Sequence, residues 1–243
     1  MRHLPFPGRN YVRRWLALRL HLPETPPALA RLRAHGFAPE CVFDVGAYQG
    51  DFARECLKVW PGTTVVCFEP QPQMQEALRR VQTKQTDVRL HQVILGATVQ
   101  PDVALYCSDT ASSVLKEHHT RHPEIRCPQT TIDAVVDEFY RHGPHPDFLK
   151  IDVQGYELEV LKGAQHSLEN VSVILMEMNL LDLHQEVPLL AEVIAWLDER
   201  EFAAFDICGL IRRPLDNALW QADMIFVRKN SRFRSDKRWS IGY

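Results

Sequence analysis

The sequence lacks any apolar run that approaches the roughly 20 residues required by a membrane-spanning helix. The longest candidate near the start, residues 15–22, is interrupted by Arg19 and preceded by Arg13 and Arg14. No uninterrupted apolar segment is followed by a small-residue cleavage site, as a secretory signal requires. The sequence therefore predicts a cytoplasmic protein without stable membrane insertion.

Paired cysteines are missing as well. The six cysteines are scattered, no Cys-x-x-Cys pair occurs, and several lie within apolar runs: Cys41, Cys56, Cys67, Cys107, Cys127 and Cys208. This distribution predicts reduced, mostly buried thiols and argues against a disulfide framework or a zinc site.

Neither sign of charge dominates the composition. The 28 Lys and Arg against 31 Asp and Glu leave a net charge of -3, which gives no electrostatic argument for a nucleic-acid partner. We find no internal repeat and no low-complexity segment. A chain of 243 residues, 45% hydrophobic and 24% charged, fits one globular α/β domain or at most two small ones.

Short apolar runs alternate with helical segments from Cys41 onward. Strands are predicted at residues 41–45, 63–68, 88–95, 103–107, 125–130, 147–153, 171–178, 203–208 and 222–227. Helices are predicted at residues 51–59, 72–82, 131–140, 156–164 and 186–199. This order predicts a doubly wound α/β fold with a mostly parallel sheet. The last two strands are joined by a loop too short for a helix, so we expect them to be antiparallel.

Both ends of the chain differ from this alternating pattern. Residues 11–21 and 26–35 are predicted as helices, the second closed by Gly36 as a C-terminal cap. We expect residues 1–36 to form a lid or brace, although a basic amphipathic start could also contact a membrane or a partner. Residues 37–228 form the predicted α/β domain, and residues 229–243 a basic, solvated tail.

The first motif is Asp-Val-Gly-Ala-Tyr-Gln-Gly at residues 44–50, directly after the first predicted strand. Gly46 and Gly50 permit a sharp turn and a close approach of the backbone to a ligand. Their spacing differs from the Gly-x-Gly-x-x-Gly of dinucleotide-binding folds. Asp44 disfavours phosphates and suits a cationic ligand such as S-adenosylmethionine, although packing alone also explains many such glycines.

The second motif is Phe-Glu-Pro at residues 68–70, which ends the second predicted strand. A carboxylate at this distance from a glycine turn accepts hydrogen bonds from a ribose diol in dinucleotide folds. Glu69 therefore predicts a nucleoside ligand, with a solvated glutamate as the alternative.

The third motif is the segment of residues 148–164, Phe-Leu-Lys-Ile-Asp-Val-Gln-Gly-Tyr-Glu-Leu-Glu-Val-Leu-Lys-Gly-Ala. Lys150 and Asp152 share one face of a predicted central strand, where charges are costly unless they are paired or used. Glu177 ends the next apolar run in the same way. Open α/β sheets bind ligands at the carboxyl ends of their strands, so these side chains are candidates for catalysis, with a structural ion pair as the alternative.

Together the three motifs resemble the FkbM-type methyltransferase family, which has the class I S-adenosylmethionine-dependent fold. The resemblance covers about residues 41–178. It implies a Rossmann-like, seven-stranded sheet with an antiparallel last strand, S-adenosylmethionine as cofactor, and O-methylation of a hydroxyl group on a sugar or another secondary metabolite.

The resemblance also implies a set of cofactor contacts. The methionine end would lie against the first motif, the ribose against Glu69, the adenosine against Pro70, and a pair of serines would border the pocket. The implied positions are Asp44, Gly46, Ala47, Gly50, Glu69, Pro70, Ser112 and Ser113, and we also expect Tyr48 and Asp152 to contact the cofactor. The chain departs from the family at Tyr48, where Asn is frequent, and at Gln154, where an acid is frequent.

Methyl transfer to a hydroxyl requires in-line positioning and benefits from a base. We expect Asp152 and Glu177 to orient and deprotonate the acceptor, and Lys150 to tune Asp152 or to stabilise oxyanion charge. His184 is an alternative base. Two nearby carboxylates could instead hold a divalent metal, but no further acid is obviously placed to complete such a site, so no metal is predicted.

Two other functions remain open from the sequence: a nicotinamide-dependent oxidoreductase, and a catalytically inactive nucleoside-binding module on the same fold. The expected partner is a small molecule with a hydroxyl group. The sequence does not fix the oligomeric state, for which a homodimer is one option.

Overall fold

The computed structural model describes residues 22–85, 87–108 and 111–240. Seven strands form the main sheet in the order β3-β2-β1-β7-β8-β10-β9. Its strands are β1 Cys41–Val45, β2 Thr64–Phe68, β3 Val88–His91, β7 Phe148–Ile151, β8 Val173–Asn179, β9 Phe202–Arg212 and β10 Leu219–Arg228. β10 is antiparallel to both of its neighbours, and the other pairs are parallel. The predicted fold class is confirmed.

Helices cover both faces of this sheet. In chain order they are α1 Thr25–Ala34, α2 Asp51–Val59, α3 Gln75–Lys84, α4 Ile132–Val135, α5 Glu157–Lys162 and α6 Leu190–Asp198. The first three pack on one face in a core that includes Leu29, Cys56 and Leu78. The last three pack on the other face, together with a π-helix at Val136–Tyr140. Both faces of the central strands are therefore buried, as expected of a parallel sheet.

The predicted strand at residues 88–95 is wrong as one unit. β3 ends at His91, opposite Phe68, where β2 also ends. The chain then leaves the main sheet and pairs as β4 Ile94–Leu95 in a three-stranded sheet with β5 Gln100–Tyr106 and β6 Glu124–Thr130, in the order β4-β6-β5. An apolar run indicates burial but not which partner strand it has, so this change of sheet was not visible in the sequence.

The first described helix and the described part of the tail lie close to each other. The helix predicted at residues 26–35 is α1, followed by Gly36 with φ 79°, whereas the helix predicted at residues 11–21 lies outside the described residues. The tail is not wholly solvated, because the Phe233 ring packs 6.0 Å from that of Phe37 and 5.3 Å from that of Phe205. Burial of the Phe233 ring removes apolar surface from water and thereby stabilises the fold.

The described part of the chain contains no helix long and apolar enough to cross a membrane. All six cysteines lie within it as free thiols, five of them buried and Cys107 half-buried.

Candidate active site

A cavity of about 390 Å³ opens at the carboxyl end of the parallel strands. The turns after β1, β2 and β7 line it, together with side chains from β8 and β10 and the N-terminal residues of α1. This is the edge at which open α/β sheets bind ligands, and the volume is that of a small-molecule site.

The glycine turn after β1 brings two strand ends together. The backbone N–H groups of Gly46 and Ala47 both donate to the Phe68 carbonyl, at 3.0 and 3.1 Å. A Cβ on Gly46 would stand 1.9 Å from the Asp152 carbonyl oxygen, and φ there is 78°. Gly46 is thus required by the approach of β7 rather than by a ligand. Gly50, with φ 77°, faces α3 and does not line the cavity.

Glu69 is held rigidly at the end of β2. Its Oε2 accepts a hydrogen bond from the Tyr48 N–H and its Oε1 one from the Gln71 N–H, both at 2.9 Å. Burial raises the pKa of Glu69, and these two hydrogen bonds oppose that rise. Tyr48 has φ 46°, a left-handed conformation that Asn adopts more readily than Tyr. Each Glu69 oxygen retains acceptor capacity toward the cavity.

Lys150 lines the cavity, but its ammonium group is fully engaged with the protein. Its Nζ donates to the Gly46 carbonyl at 2.8 Å and forms ion pairs with Asp44 at 3.2 Å and Asp152 at 3.5 Å. Burial disfavours its charge, but the two carboxylates outweigh burial and raise the pKa of Lys150. Asp44 is completely buried and does not line the cavity. The pair ties β1 to β7 beneath the glycine turn.

Beyond the last paired residues of β1, β2 and β7, one level of the sheet carries mainly carboxylates. From β2 to β10 this level holds Glu69, Gly46, Asp152, Glu177 and Asp223, all of which line the cavity. We call the four acids the carboxylate row, with Gly46 as its gap. Neighbouring strands lie about 4.8 Å apart, so the row extends over roughly 19 Å.

Glu177 is the most deeply buried catalytic candidate in the row. Only 4% of its surface is exposed, and its Oε1 accepts a hydrogen bond of 2.6 Å from Gln221 Nε2. Burial raises its pKa well above the ordinary value, and the nearby charges of Asp152, Glu157 and Asp223 raise it further. Glu177 therefore holds a proton at a higher pH than a solvated glutamate does.

Asp223 is a member of the row that the sequence analysis missed. It lies opposite Glu177 in the β8–β10 pairing. Burial raises its pKa to about 6, and Asp152 adds to this rise. The sequence pattern that marked Asp152 and Glu177 as candidates also marks Asp223, because each of the three acids interrupts an apolar run.

The two predicted serines have different positions. Ser112 lines the cavity and its Oγ contacts Gln71 Oε1 at 3.2 Å. Ser113 is buried behind it, and its Oγ donates to the Gln154 carbonyl at 2.7 Å. Pro70 lines the cavity beside Glu69. Gln154 Nε2 donates to Asp152 Oδ1 at 3.1 Å, which an ionised acid at that position could not do.

His184 does not line the cavity. It is buried, and its backbone pairs with that of Glu117 in an isolated antiparallel β-bridge. The Glu117 side chain contacts His122, with Oε1 3.0 Å from Nε2. Across residues 22–85, 87–108 and 111–240, no three His, Cys, Asp or Glu side chains are grouped closely enough to hold a metal ion.

Comparison with known proteins extends the similarity beyond the motifs. The family model of the methyltransferase FkbM domain matches residues 44–204. The curated protein Methyltransferase 1 of Beauveria bassiana is 27% identical over 143 residues, which are 50% of this chain and 57% of that protein.

Solved structures share the fold at low identity. The methyltransferase FkbM of Methylobacillus flagellatus is 19% identical with a TM-score of 0.51, over 76% of this chain and 43% of its own. Magnesium protoporphyrin IX methyltransferase of Synechocystis, solved with bound S-adenosylmethionine, is 12% identical with a TM-score of 0.50, over 94% and 86%. The chain spans about half the length of the curated relative and of the FkbM structure.

The family match covers about two thirds of the chain and includes all three sequence motifs. This chain belongs to the FkbM methyltransferase domain family.

Proposed function

We propose that this protein transfers a methyl group from S-adenosylmethionine to a hydroxyl group on a small molecule. The observation that carries the proposal is the carboxylate row: Glu69, the proposed ribose-binding acid, lies at one end of the cavity, and Asp152 and Glu177, the proposed catalytic acids, lie further along it. The Synechocystis methyltransferase, which shares the fold, binds this cofactor, and the proposal transfers that property to the present chain.

The cavity residues suit this cofactor. Glu69 has acceptor capacity for two ribose hydroxyls. The apolar side chains of Ile94, Leu95 and Leu105 line a cavity wall that would hold the adenine ring. The turn of Gly46, Ala47 and Tyr48 would hold the methionine end. Asp44, Gly50 and Ser113 would support these contacts from behind, since none of them lines the cavity.

When bound, the cofactor supplies a methyl group already activated by its sulfonium. The chain's own residues then position the acceptor and move its proton. Asp152, held by Lys150 and Gln154, orients the acceptor hydroxyl. Glu177 takes the proton, because a carboxylate whose pKa is raised is a stronger base than an ordinary glutamate. Lys150 fixes the turn and Asp152 rather than contacting the acceptor.

Calorimetry tests cofactor binding directly. We expect S-adenosylmethionine and its demethylated product to bind with micromolar affinity, about 8 kcal/mol, and NAD to bind far more weakly because its diphosphate would face the carboxylate row. Glu69→Ala should weaken binding of both cofactor forms by about 1.5–3 kcal/mol. Glu76→Ala is the matched control, since Glu76 is exposed and paired with Arg80. Unchanged affinity in a folded Glu69→Ala protein would refute the assignment.

Methyl transfer itself is tested with methyl-tritiated cofactor and a small-molecule extract. Label in a base-stable ether product supports O-methylation, and label in an amine or a carbon-bound methyl product contradicts it. Tight cofactor binding without any labelled product would favour a nucleoside-binding module without catalysis.

A further inference from the structure

The cavity extends well beyond the end at which Glu69 is proposed to hold the cofactor. Glu69 occupies the β2 end of the carboxylate row, and Asp152 lies two strands further along. Glu177 and Asp223 lie beyond Asp152, on β8 and β10, and face each other in register. A ribose at Glu69 thus leaves the Glu177–Asp223 end free for the second substrate.

A glycine makes room for the Asp223 carboxylate. Gly209 on β9 pairs with Asp223, and a Cβ on Gly209 would stand 2.0 Å from Asp223 Oδ2. No left-handed φ requires glycine there, since Gly209 is absent from the residues with positive φ. The missing side chain therefore serves the placement of the carboxylate at the edge of the cavity.

Glu177 presents an unused acceptor to the same space. Its Oε1 is bound by Gln221, whereas its Oε2 has no hydrogen-bond partner among the described residues. The side chain is 4% exposed and lines the cavity. An acceptor oxygen beside the cavity without a protein partner can accept a hydrogen bond from a donor group of a ligand.

Negatively charged side chains predominate in the cavity lining. Among the described residues that line the cavity, the acids are Asp51, Glu55, Glu69, Asp152, Glu177 and Asp223, and Lys150 is the single base. The Lys150 ammonium is already engaged with Gly46, Asp44 and Asp152. A phosphate or carboxylate of an acceptor beside Glu177 and Asp223 would face carboxylates and no available cation.

We propose that Glu177 and Asp223 form an acceptor subsite for hydrogen-bond donors, hydroxyl or ammonium groups, and that this subsite excludes acceptors with a phosphate or carboxylate beside the reacting hydroxyl. This inference rests on the proposed function, because it takes the Glu69 end to hold the cofactor. Asp223 is then a residue that contacts the acceptor and contributes to specificity.

A pair of cofactor analogues tests the subsite without any acceptor. Sinefungin carries an ammonium group in place of the methylsulfonium, whereas S-adenosylhomocysteine carries a neutral sulfur. We expect the wild type to bind sinefungin more tightly, and Asp223→Asn to reduce the ratio of the two affinities by about three- to tenfold. Gly209→Ala, which displaces the carboxylate without removing its charge, should change the ratio in the same direction.

Asp182→Asn is the matched control, because Asp182 is exposed and outside the cavity, and it should leave the ratio unchanged. If S-adenosylhomocysteine fails to bind the wild type, the proposed function fails. If S-adenosylhomocysteine binds wild type and Asp223→Asn alike and the affinity ratio does not change, the subsite is refuted while the proposed function stands.

The charge of the labelled product gives a second readout. After transfer from methyl-tritiated cofactor into the extract, the labelled products are passed over a cation exchanger and an anion exchanger. A product that neither exchanger retains is derived from a neutral hydroxyl compound, and one retained by the cation exchanger carries an amine. Either result supports the subsite. A labelled product retained by an anion exchanger overturns it.

Discussion

At the scale of single residues, the protonation of Glu177 determines when the proposed reaction can run. Only the ionised carboxyl can accept a proton, and burial raises its pKa. Turnover should therefore increase with pH as Glu177 ionises. Asp223, with a pKa of about 6, ionises separately, and its negative charge raises the pKa of Glu177 further.

Glu177→Gln separates these contributions. The amide keeps the size of the side chain and can still accept from Gln221, so cofactor affinity should change little. Turnover should fall by about 10²–10⁴-fold, and the increase of rate with pH that belongs to Glu177 should disappear. Label-transfer rates across pH measure both effects, with the exposed Glu76→Gln as control. Activity within a few-fold of the wild type would make Asp152 the base.

Much of the site was predictable because buried strands seldom carry charge. Lys150, Asp152 and Glu177 stood out on that ground, and Asp223 carries the same signal within β10. Sequence spacing locates strand ends, but it does not show whether a residue near a strand end lines the cavity or packs against the protein interior. Gly50 and Ser113 were therefore predicted as cofactor contacts, although the structure places both behind the cavity lining.

At the scale of elements, the Lys150–Asp44 pair joins β7 to β1. Removing one member of a buried pair leaves the other charge uncompensated, at a cost of about 3–5 kcal/mol. Lys150→Met should lower the free energy of unfolding by about this amount, measured with urea. Adding Asp44→Asn should recover most of the loss, because the unpaired charge is then gone.

Lys58, an exposed lysine that pairs with the half-buried Glu55, provides the control for this experiment. Lys58→Met should cost less than about 1 kcal/mol, as surface pairs do. If Lys150→Met were as mild as Lys58→Met, the pair would not stabilise the β1–β7 junction.

Glu157, the first residue of α5, makes stability depend on pH. Its Oε1 accepts from the Val153 and Gly155 N–H groups, both at 3.0 Å. Burial raises its pKa to about 7 from the ordinary 4.5, although these bonds oppose the rise. A carboxyl with a raised folded-state pKa stabilises the fold fully below pH 4.5, and this contribution is lost as pH rises to about 7.

Glu157→Gln should remove this dependence, since the amide oxygen accepts the same two bonds and does not ionise. The variant should be more stable than the wild type at pH 8, by at most about 3 kcal/mol, in urea unfolding at several pH values. Glu159→Gln on the same helix is the control. An equal pH dependence in Glu157→Gln and the wild type would contradict the assignment.

Element boundaries were predictable where local signals are strong. β1 and α2 begin and end at the predicted residues, because an apolar strand, a glycine turn and an amphipathic helix follow one another. The predicted helix at residues 131–140 is present as α4 and a π-helix, and Thr131 Oγ1 caps its start by accepting from the Ala134 N–H at 3.0 Å. The residue type of a capping threonine marks the start of a helix in the sequence. A local widening into a π-helix does not change the spacing of apolar residues, so the sequence does not reveal it.

At the scale of the whole molecule, the start of the described chain and its tail are packed together. α1 buries Leu29 and Leu32 in the core, and its Arg31 pairs with Asp206 on β9 at 2.5 Å. Thr25 and Pro26 at its other end line the cavity. α1 therefore connects the cavity with the side of the molecule on which the tail lies.

This packing predicts that the tail contributes to stability. Ending the chain after Arg228 removes Phe233 from the rings of Phe37 and Phe205 and removes the Arg232 hydrogen bond to the Gly36 carbonyl. We expect a loss of about 2–3 kcal/mol, or a Tm lower by about 5–10 °C in thermal unfolding. Ending the chain after Ser235 is the matched control, because it keeps both contacts and removes Trp239, which is 96% exposed. Equal melting of the two truncated proteins would show that the tail does not brace α1.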